Sequence, residues 1–168
     1  RYELVEGILE ALSPGPSPKH QFVSQAIAFS LKQTCDSEYV ILVSPIDVIL
    51  CKTEVRQPDI IMIHRDRLSI ITERGVEGAP DLVIEVISPS SIKRDRGSKL
   101  KTYAAYGVPE YWIVDPRNQA LEQYFLEDKT YKLLEVYVDD QTVRSARISC
   151  VSFSMHDILS NIPELPNA

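Results

Sequence analysis

Two acids stand where acids are costly. Asp59 opens the run Asp59-Ile60-Ile61-Met62-Ile63, and Glu85 interrupts Leu82-Val83-Ile84-Glu85-Val86-Ile87. A carboxylate set in a Val/Ile-rich strand must meet a cation, a proton or hydrogen-bond donors, because burying it alone is strongly unfavourable. Side chains alternate along a strand, so Asp81, Val83, Glu85 and Ile87 share one face, and Leu82, Ile84 and Val86 share the other. Asp81 lies about 13 Å from Glu85 at ~3.3 Å per residue, too far to share an ion. Asp59, on a neighbouring strand, can come much closer. At a separation of about 5 Å and an effective dielectric of about 20, two carboxylates repel by about 3 kcal/mol. One proton, one lysine or one divalent cation relieves that repulsion. Oxygen ligands at low count, with open positions, suit Mg²⁺ or Mn²⁺. Lys99 is the third candidate. Asp95, Lys99 and Tyr103 are spaced i, i+4, i+8 along one side of a helix that leaves the Glu85 strand. Lys99 borders the apolar stripe of that helix, whereas Lys101 points away.

The elements that must position these groups are legible in order. Tyr2–Val5 and Ile8–Leu12 read as a hairpin about Glu6-Gly7, where a tight turn wants positive φ. Ser13-Pro14-Gly15-Pro16 is a loop. Ser17-Pro18 then supplies an N-cap and a proline at the first helical position, opening a helix to about Gln33 with His20 in its first turn. Glu38–Cys51 is strand-rich, with a break at Pro45. The Asp59 strand follows, then a polar loop or short helix over Arg65–Gly78. The Glu85 strand is apolar on both faces and is placed centrally. A helix from Lys93 or Asp95 to Tyr106 ends at Gly107 and leads into the central strand Glu110–Asp115. Strand, helix and strand in this order predict a parallel pair. Leu121–Leu126 and Tyr131–Tyr137 form a second hairpin, and Ile148–Leu159 adds a strand and a short helix. The expected architecture is α/β, a single domain over residues 1–168 built on one mixed sheet.

Composition limits the function classes. With 168 residues, 44% apolar and 25% charged, the chain is ordinary for a globular protein with a full core. No apolar run is long enough to cross a bilayer, and the polar start Arg1-Tyr2-Glu3-Leu4 does not have the pattern of a leader. Because no initiator Met is present, residues preceding Arg1 are expected. Three cysteines with no CxxC spacing argue against a disulfide framework or a zinc site, and suggest buried thiols in a cytoplasmic protein. The net charge of −6 repels nucleic acid overall, so phosphate binding must come from a metal or a local patch. One such patch exists: Lys93, Arg94, Arg96, Lys99 and Lys101.

A family resemblance joins these features. The order Pro58-Asp59, Glu85, lysine resembles the PD-(D/E)XK nuclease superfamily. More specifically, the chain is similar to a family of uncharacterised restriction endonucleases common in bacterial genomes. The matching segments are Tyr2–Gly7, Ser17–His20, Gln57–Asp59, Pro80–Ser90, Asp95 with Lys99 and Tyr103, and Gly107–Pro116. Pro-Asp alone carries almost nothing; the set is specific. The resemblance implies a restriction-endonuclease-like mixed sheet flanked by helices, with an added N-terminal hairpin, and metal-dependent hydrolysis of phosphodiesters with DNA as the expected substrate. It implies Asp59, Glu85 and the Val86 carbonyl as ligands of one Mg²⁺ or Mn²⁺, and Lys99 as the residue that positions water or offsets transition-state charge. His20, Lys93, Arg94, Arg96 and Tyr103 are then expected to bind phosphate or line the site. By analogy the protein is expected to be a homodimer. The departure is at Ile87, where the motif would place its lysine.

Plainer readings stand beside these. Asp59 and Glu85 can be structural, one of them paired with Lys99. His20 can be a helix-start residue bonded to backbone, Tyr103 a core residue, and the basic run the solvated first turns of a helix. Tyr111 and Trp112 are expected to pack in the sheet, Asp81 to begin a strand, and Glu3 and Glu6 to carry no chemistry. The rival function is a nuclease-fold protein that binds nucleic acid without cutting it, and a third reading is a structural subunit of an oligomer.

Overall fold

A strand buried on both faces has to sit between two covering layers, and the Glu85 strand does. The computed structural model describes residues 1–12 and 15–164. Ser13 and Pro14 of the expected loop lie outside the described residues. The strands are β1 (Tyr2–Val5), β2 (Ile8–Ala11), β3 (Tyr39–Val43), β4 (Val48–Cys51), β5 (Glu54–Arg56), β6 (Ile60–His64), β7 (Ile71–Thr72), β8 (Gly75–Glu77), β9 (Leu82–Val86), β10 (Glu110–Asp115), β11 (Ala120–Glu127), β12 (Thr130–Val138), β13 (Thr142–Val143) and β14 (Phe153–Ser154). The helices are α1 (Pro18–Cys35), α2 (Ile92–Arg94), α3 (Leu100–Ala105) and α4 (Met155–Ser160). A 3₁₀ segment spans Arg65–Ile70, and a π-helical segment, Asp95–Lys99, joins α2 to α3.

The central sheet has the order β12-β11-β10-β9-β6-β3. β9 and β10 are parallel, as the intervening helical crossover predicts, and the other pairs are antiparallel. On one face, Leu82, Ile84, Val86, Trp112 and Val114 pack against Val23, Ile27 and Leu31 of α1 and against α4. On the opposite face, Val83, Ile87, Tyr111 and Ile113 pack against Tyr103 and against Val48 and Val76. The alternation inferred for residues 81–87 is therefore the observed one, and Glu85 projects onto the Tyr103 side.

The sequence suggests one sheet; the fold has a second of six strands, β2-β1-β5-β4-β8-β7, also mixed. Its strands are two to four residues long, which is why periodicity over Arg65–Gly78 gave only a loop or short helix. The N-terminal hairpin is an edge of this sheet, joined through β1 to β5. Glu6 and Gly7 both have positive φ, 51° and 82°. The thiol reading is also corrected: Cys35, at the end of α1, is disulfide-bonded to Cys150, just before β14, with Cα atoms 5.2 Å apart. The two are separated by 115 residues, and only the packing of the C-terminal segment against α1 brings them together, so local spacing held no sign of the bond. Among the described residues no helix is long and apolar enough to cross a membrane.

Candidate active site

β6 and β9 fix the two acids. Their antiparallel register pairs Ile60 with Ile84 and Ile61 with Val83, and continuing it by one residue sets Asp59 opposite Glu85. Residues directly opposite have Cβ atoms about 4.5–5.5 Å apart. Asp59 shares parity with Ile61 and Ile63, whose side chains join Val83 and Ile87 in the same core cluster. The backbone holds Asp59 as well: its Oδ2 accepts a 2.8 Å hydrogen bond from the Val86 N–H, and its carbonyl accepts one from Ser44.

Lysine arrives from the crossover. The π-helical segment places Asp95 and Lys99 on its inner side, and the Tyr111 hydroxyl anchors the segment by donating to the Asp95 carbonyl at 2.9 Å. π-helical turns are rare and recur at functional sites. Lys99 Nζ lies 2.8 Å from Glu85 Oε1, 3.5 Å from Glu3 Oε1 and 3.8 Å from Asp95 Oδ1. The Tyr103 hydroxyl donates to the same Glu85 oxygen at 3.3 Å. Glu85, Lys99 and Asp95 are only 2%, 3% and 2% exposed, so these contacts are made largely out of water.

Glu3 was expected to carry no chemistry, yet it is buried in this network. Its Oε1 accepts from the Gln57 N–H at 2.9 Å, and its Oε2 lies 3.4 Å from an Arg56 guanidinium nitrogen. Arg56 also donates to Glu54 at 2.6 Å and to the Thr102 hydroxyl at 2.9 Å. The alternation Glu54-Val55-Arg56 on a short strand was the only sequence signal for this support.

On the other side of Asp59, the Ser17 N-cap of α1 orients the first turn, and His20 Nε2 lies 3.0 Å from Asp59 Oδ2. Burial pulls the His20 imidazole down, but the hydrogen bond and charge of Asp59 raise it on balance. Burial pushes Asp59 up, but His20, Lys99 and the Val86 N–H hold it below its usual range. Burial and the neighbouring carboxylates Asp59 and Asp95 raise Glu85 well above the usual range despite Lys99. Burial likewise raises Asp95. Lys99 is desolvated, yet four surrounding carboxylates raise its pKa and keep it an ammonium.

A cavity of about 930 Å³ opens onto Asp59, Glu85, Val86, Ile87, Asp95 and Lys99, with His20 and Arg94 also on its wall. Lys93 and Arg96 do not reach it. Lys93 is exposed, and Arg96 makes a bidentate pair with Glu122, at 2.5 and 2.7 Å. Tyr103 is fully buried beneath Glu85 and is not on the cavity wall. Asp81, as expected, serves structure: it accepts from the His64 N–H and from Arg67.

Five carboxyl groups, Glu3, Glu54, Asp59, Glu85 and Asp95, stand against Arg56, Lys99 and His20, so acids outnumber the basic side chains that face them. Asp95 Oδ1 is buried with no hydrogen-bond donor. Among the described residues no three acid, histidine or cysteine side chains already converge as a ligand cluster. A site of two carboxylates, a backbone carbonyl and water suits Mg²⁺, which retains several waters. The residues present therefore fit such an ion.

No curated protein sequence matches the chain. Among solved structures, a protein from Anabaena variabilis ATCC 29413 described as a putative nuclease belonging to DUF820 is similar in fold, with a TM-score of 0.77, 20% identity, and coverage of 95% of this chain and 89% of that one. The profile of the Uma2 family, described as "Putative restriction endonuclease", matches residues 1–154, and the chain belongs to that family.

Proposed function

We propose that this protein is a metal-dependent endonuclease that hydrolyses phosphodiester bonds, with DNA as its substrate. The convergence of Asp59, Glu85, Asp95 and Lys99 on one cavity carries this reading. Asp59, Glu85 and the Val86 carbonyl would hold Mg²⁺ or Mn²⁺, and Asp95, whose Oδ1 has no hydrogen-bond partner and lies 3.8 Å from Lys99 Nζ, is on the same cavity. Such an ion, when bound, polarises the phosphate and lowers the pKa of water.

The chain's own residues supply the rest. Lys99, locked as an ammonium among carboxylates, presents fixed positive charge where the attacked phosphate gathers negative charge; a preorganised charge in a water-poor site acts there with little reorganisation. Tyr103 and Glu3 restrict Glu85 and Lys99 to one arrangement. His20 and the Val86 N–H aim Asp59. Arg94, on the wall, can donate to a phosphate oxygen. Asp59→Ala and Glu85→Ala should each abolish Mg²⁺- or Mn²⁺-dependent cleavage of plasmid or oligonucleotide substrates. Full cleavage by both variants would refute the assignment of these acids and put the cutting site elsewhere, whereas nucleic-acid binding without metal-dependent cleavage by the parent would leave a binding module as the better account.

A further inference from the structure

If the carboxylates do cut nucleic acid, the shape of their surroundings limits what can reach them; this inference rests on the nuclease reading. The site lies inside a cavity, with the first residues of α1 (Pro18 to His20), the Ser88–Ser91 loop, Pro116 with Arg117, and Arg1 on its walls. A volume of about 930 Å³ lies within the range of pockets that enclose a small ligand, enough for a short stretch of one strand. A duplex has to stay outside this recess and send only its backbone in. That backbone cannot easily be pressed down to Glu85 and Lys99, which are 2% and 3% exposed.

The charges point the same way. The chain carries −6 overall, and a duplex held along its phosphates needs an extended set of cations. Here the cations are local to the mouth and walls: Lys19, Arg94 and Arg117 line the cavity. Arg94 also has a buried Nε with no hydrogen-bond partner. Pro16, Pro18, Pro89, Pro116 and Ile87 give the lining its apolar surface, and Gln57, Ser88 and Ser90 add polar groups. A single sugar–phosphate chain can follow the cations while its unstacked bases rest on the apolar and polar surface beside them.

We propose that the cut strand enters the cavity as a flexible single strand, so that the substrates are single-stranded DNA and the unpaired segments of duplexes. Chemistry on a nucleotide that must first leave a duplex carries the cost of unpairing and unstacking. Uninterrupted duplex should therefore be cut slowly.

The test uses the full chain with Mn²⁺ and four end-labelled oligonucleotides of one sequence: a single strand, a blunt duplex, a duplex with a single-stranded overhang, and a duplex with an internal unpaired loop. Cleavage is expected in the single strand, the overhang and the loop, at about tenfold or more above the blunt duplex. Blunt duplex cut internally as fast as the single strand would overturn the inference and leave the nuclease reading standing. No cleavage of any of the four, with Glu85→Gln indistinguishable from the parent, would overturn both.

Discussion

Replacing Lys99 by methionine keeps the length of the side chain and removes its charge, which isolates what the ammonium does. At 2.8 Å from Glu85 Oε1, the attraction is about 6 kcal/mol at an effective dielectric of about 20. Desolvation offsets much of this in the intact pair, but deleting one partner leaves the other buried and uncompensated, a net loss of about 3–5 kcal/mol. For a chain of this size, each kcal/mol shifts the melting temperature by roughly 2–4 °C, so a fall of about 6–20 °C is expected at pH 7.5. The loss must also depend on pH. Without Lys99, the folded-state pKa of Glu85, already raised by burial and by Asp59 and Asp95, climbs further. A carboxyl with its folded pKa raised above the unfolded value binds more protons when folded, so stability falls as pH rises above about 4.5. The variant should therefore regain stability relative to the parent as the pH is lowered towards 5, and Lys99→Met/Glu85→Gln should recover most of it at all pH values. Urea unfolding from pH 5 to 8 measures both effects. A loss below about 1 kcal/mol, the range of exposed pairs, or one that does not change with pH, would refute the account of this network.

Three further outcomes follow from the same contacts. His20→Asn should flatten the stability profile at both ends: the His20–Asp59 contribution is present below the unfolded histidine value of 6.5 and is lost as pH rises through the raised folded value. It is lost again as pH falls from the carboxylate's model value of 3.8 through its lowered folded value, and thermal melts across pH 3 to 9 resolve it. Cys150→Ser, or reduction of the parent, should lower stability by about 2–5 kcal/mol through loss of the link from α1 to the C-terminal segment, measured as urea midpoints with and without reductant. Mn²⁺ should raise the melting temperature of the parent but not of Asp59→Ala or Glu85→Ala, since only a ligand of the folded state stabilises it; an equal rise in all three proteins would place the ion elsewhere.

Where residues announce their own environment, the fold was readable in advance. Glu6-Gly7 fixed a turn, Ser17-Pro18 opened α1, and the apolar run around Glu85 placed β9 between two cores. The acids were found because a carboxylate in an Ile/Val strand is conspicuous, and Lys99 because helical spacing put it over the same face. What escaped was set by pairing between distant segments. Glu3 looked like any polar residue on a hairpin, and only the docking of β1 on β5 buries it against Arg56 and Lys99. Cys35 and Cys150 were unremarkable until α1 and the C-terminal segment met. The basic run divides because adjacent cations on a helix point in different directions. Arg94 turns to the cavity and Arg96 to Glu122, while Lys93 remains in solvent.

The apolar residue at position 87 is where the chain departs most from the nuclease motif, and the geometry gives that departure a physical explanation. Ile87 has the same parity as Glu85, so a lysine there would extend over the same face of β9, towards the space Lys99 Nζ occupies from the opposite direction. Ile87 packs in the core with Tyr103, Val108 and Tyr111, and the helical segment that carries Lys99 is seated on that core. A cation at position 87 would compete with the packing that holds the crossover down. Moving the charge to the π-helical segment keeps an apolar seat beneath it and returns the ammonium to Glu85 at 2.8 Å. Ile87→Lys in a Lys99→Met background distinguishes the two placements. If only the position of the ammonium matters, stability and cleavage recover together; if the apolar seat matters as well, the double variant stays less stable than Lys99→Met alone.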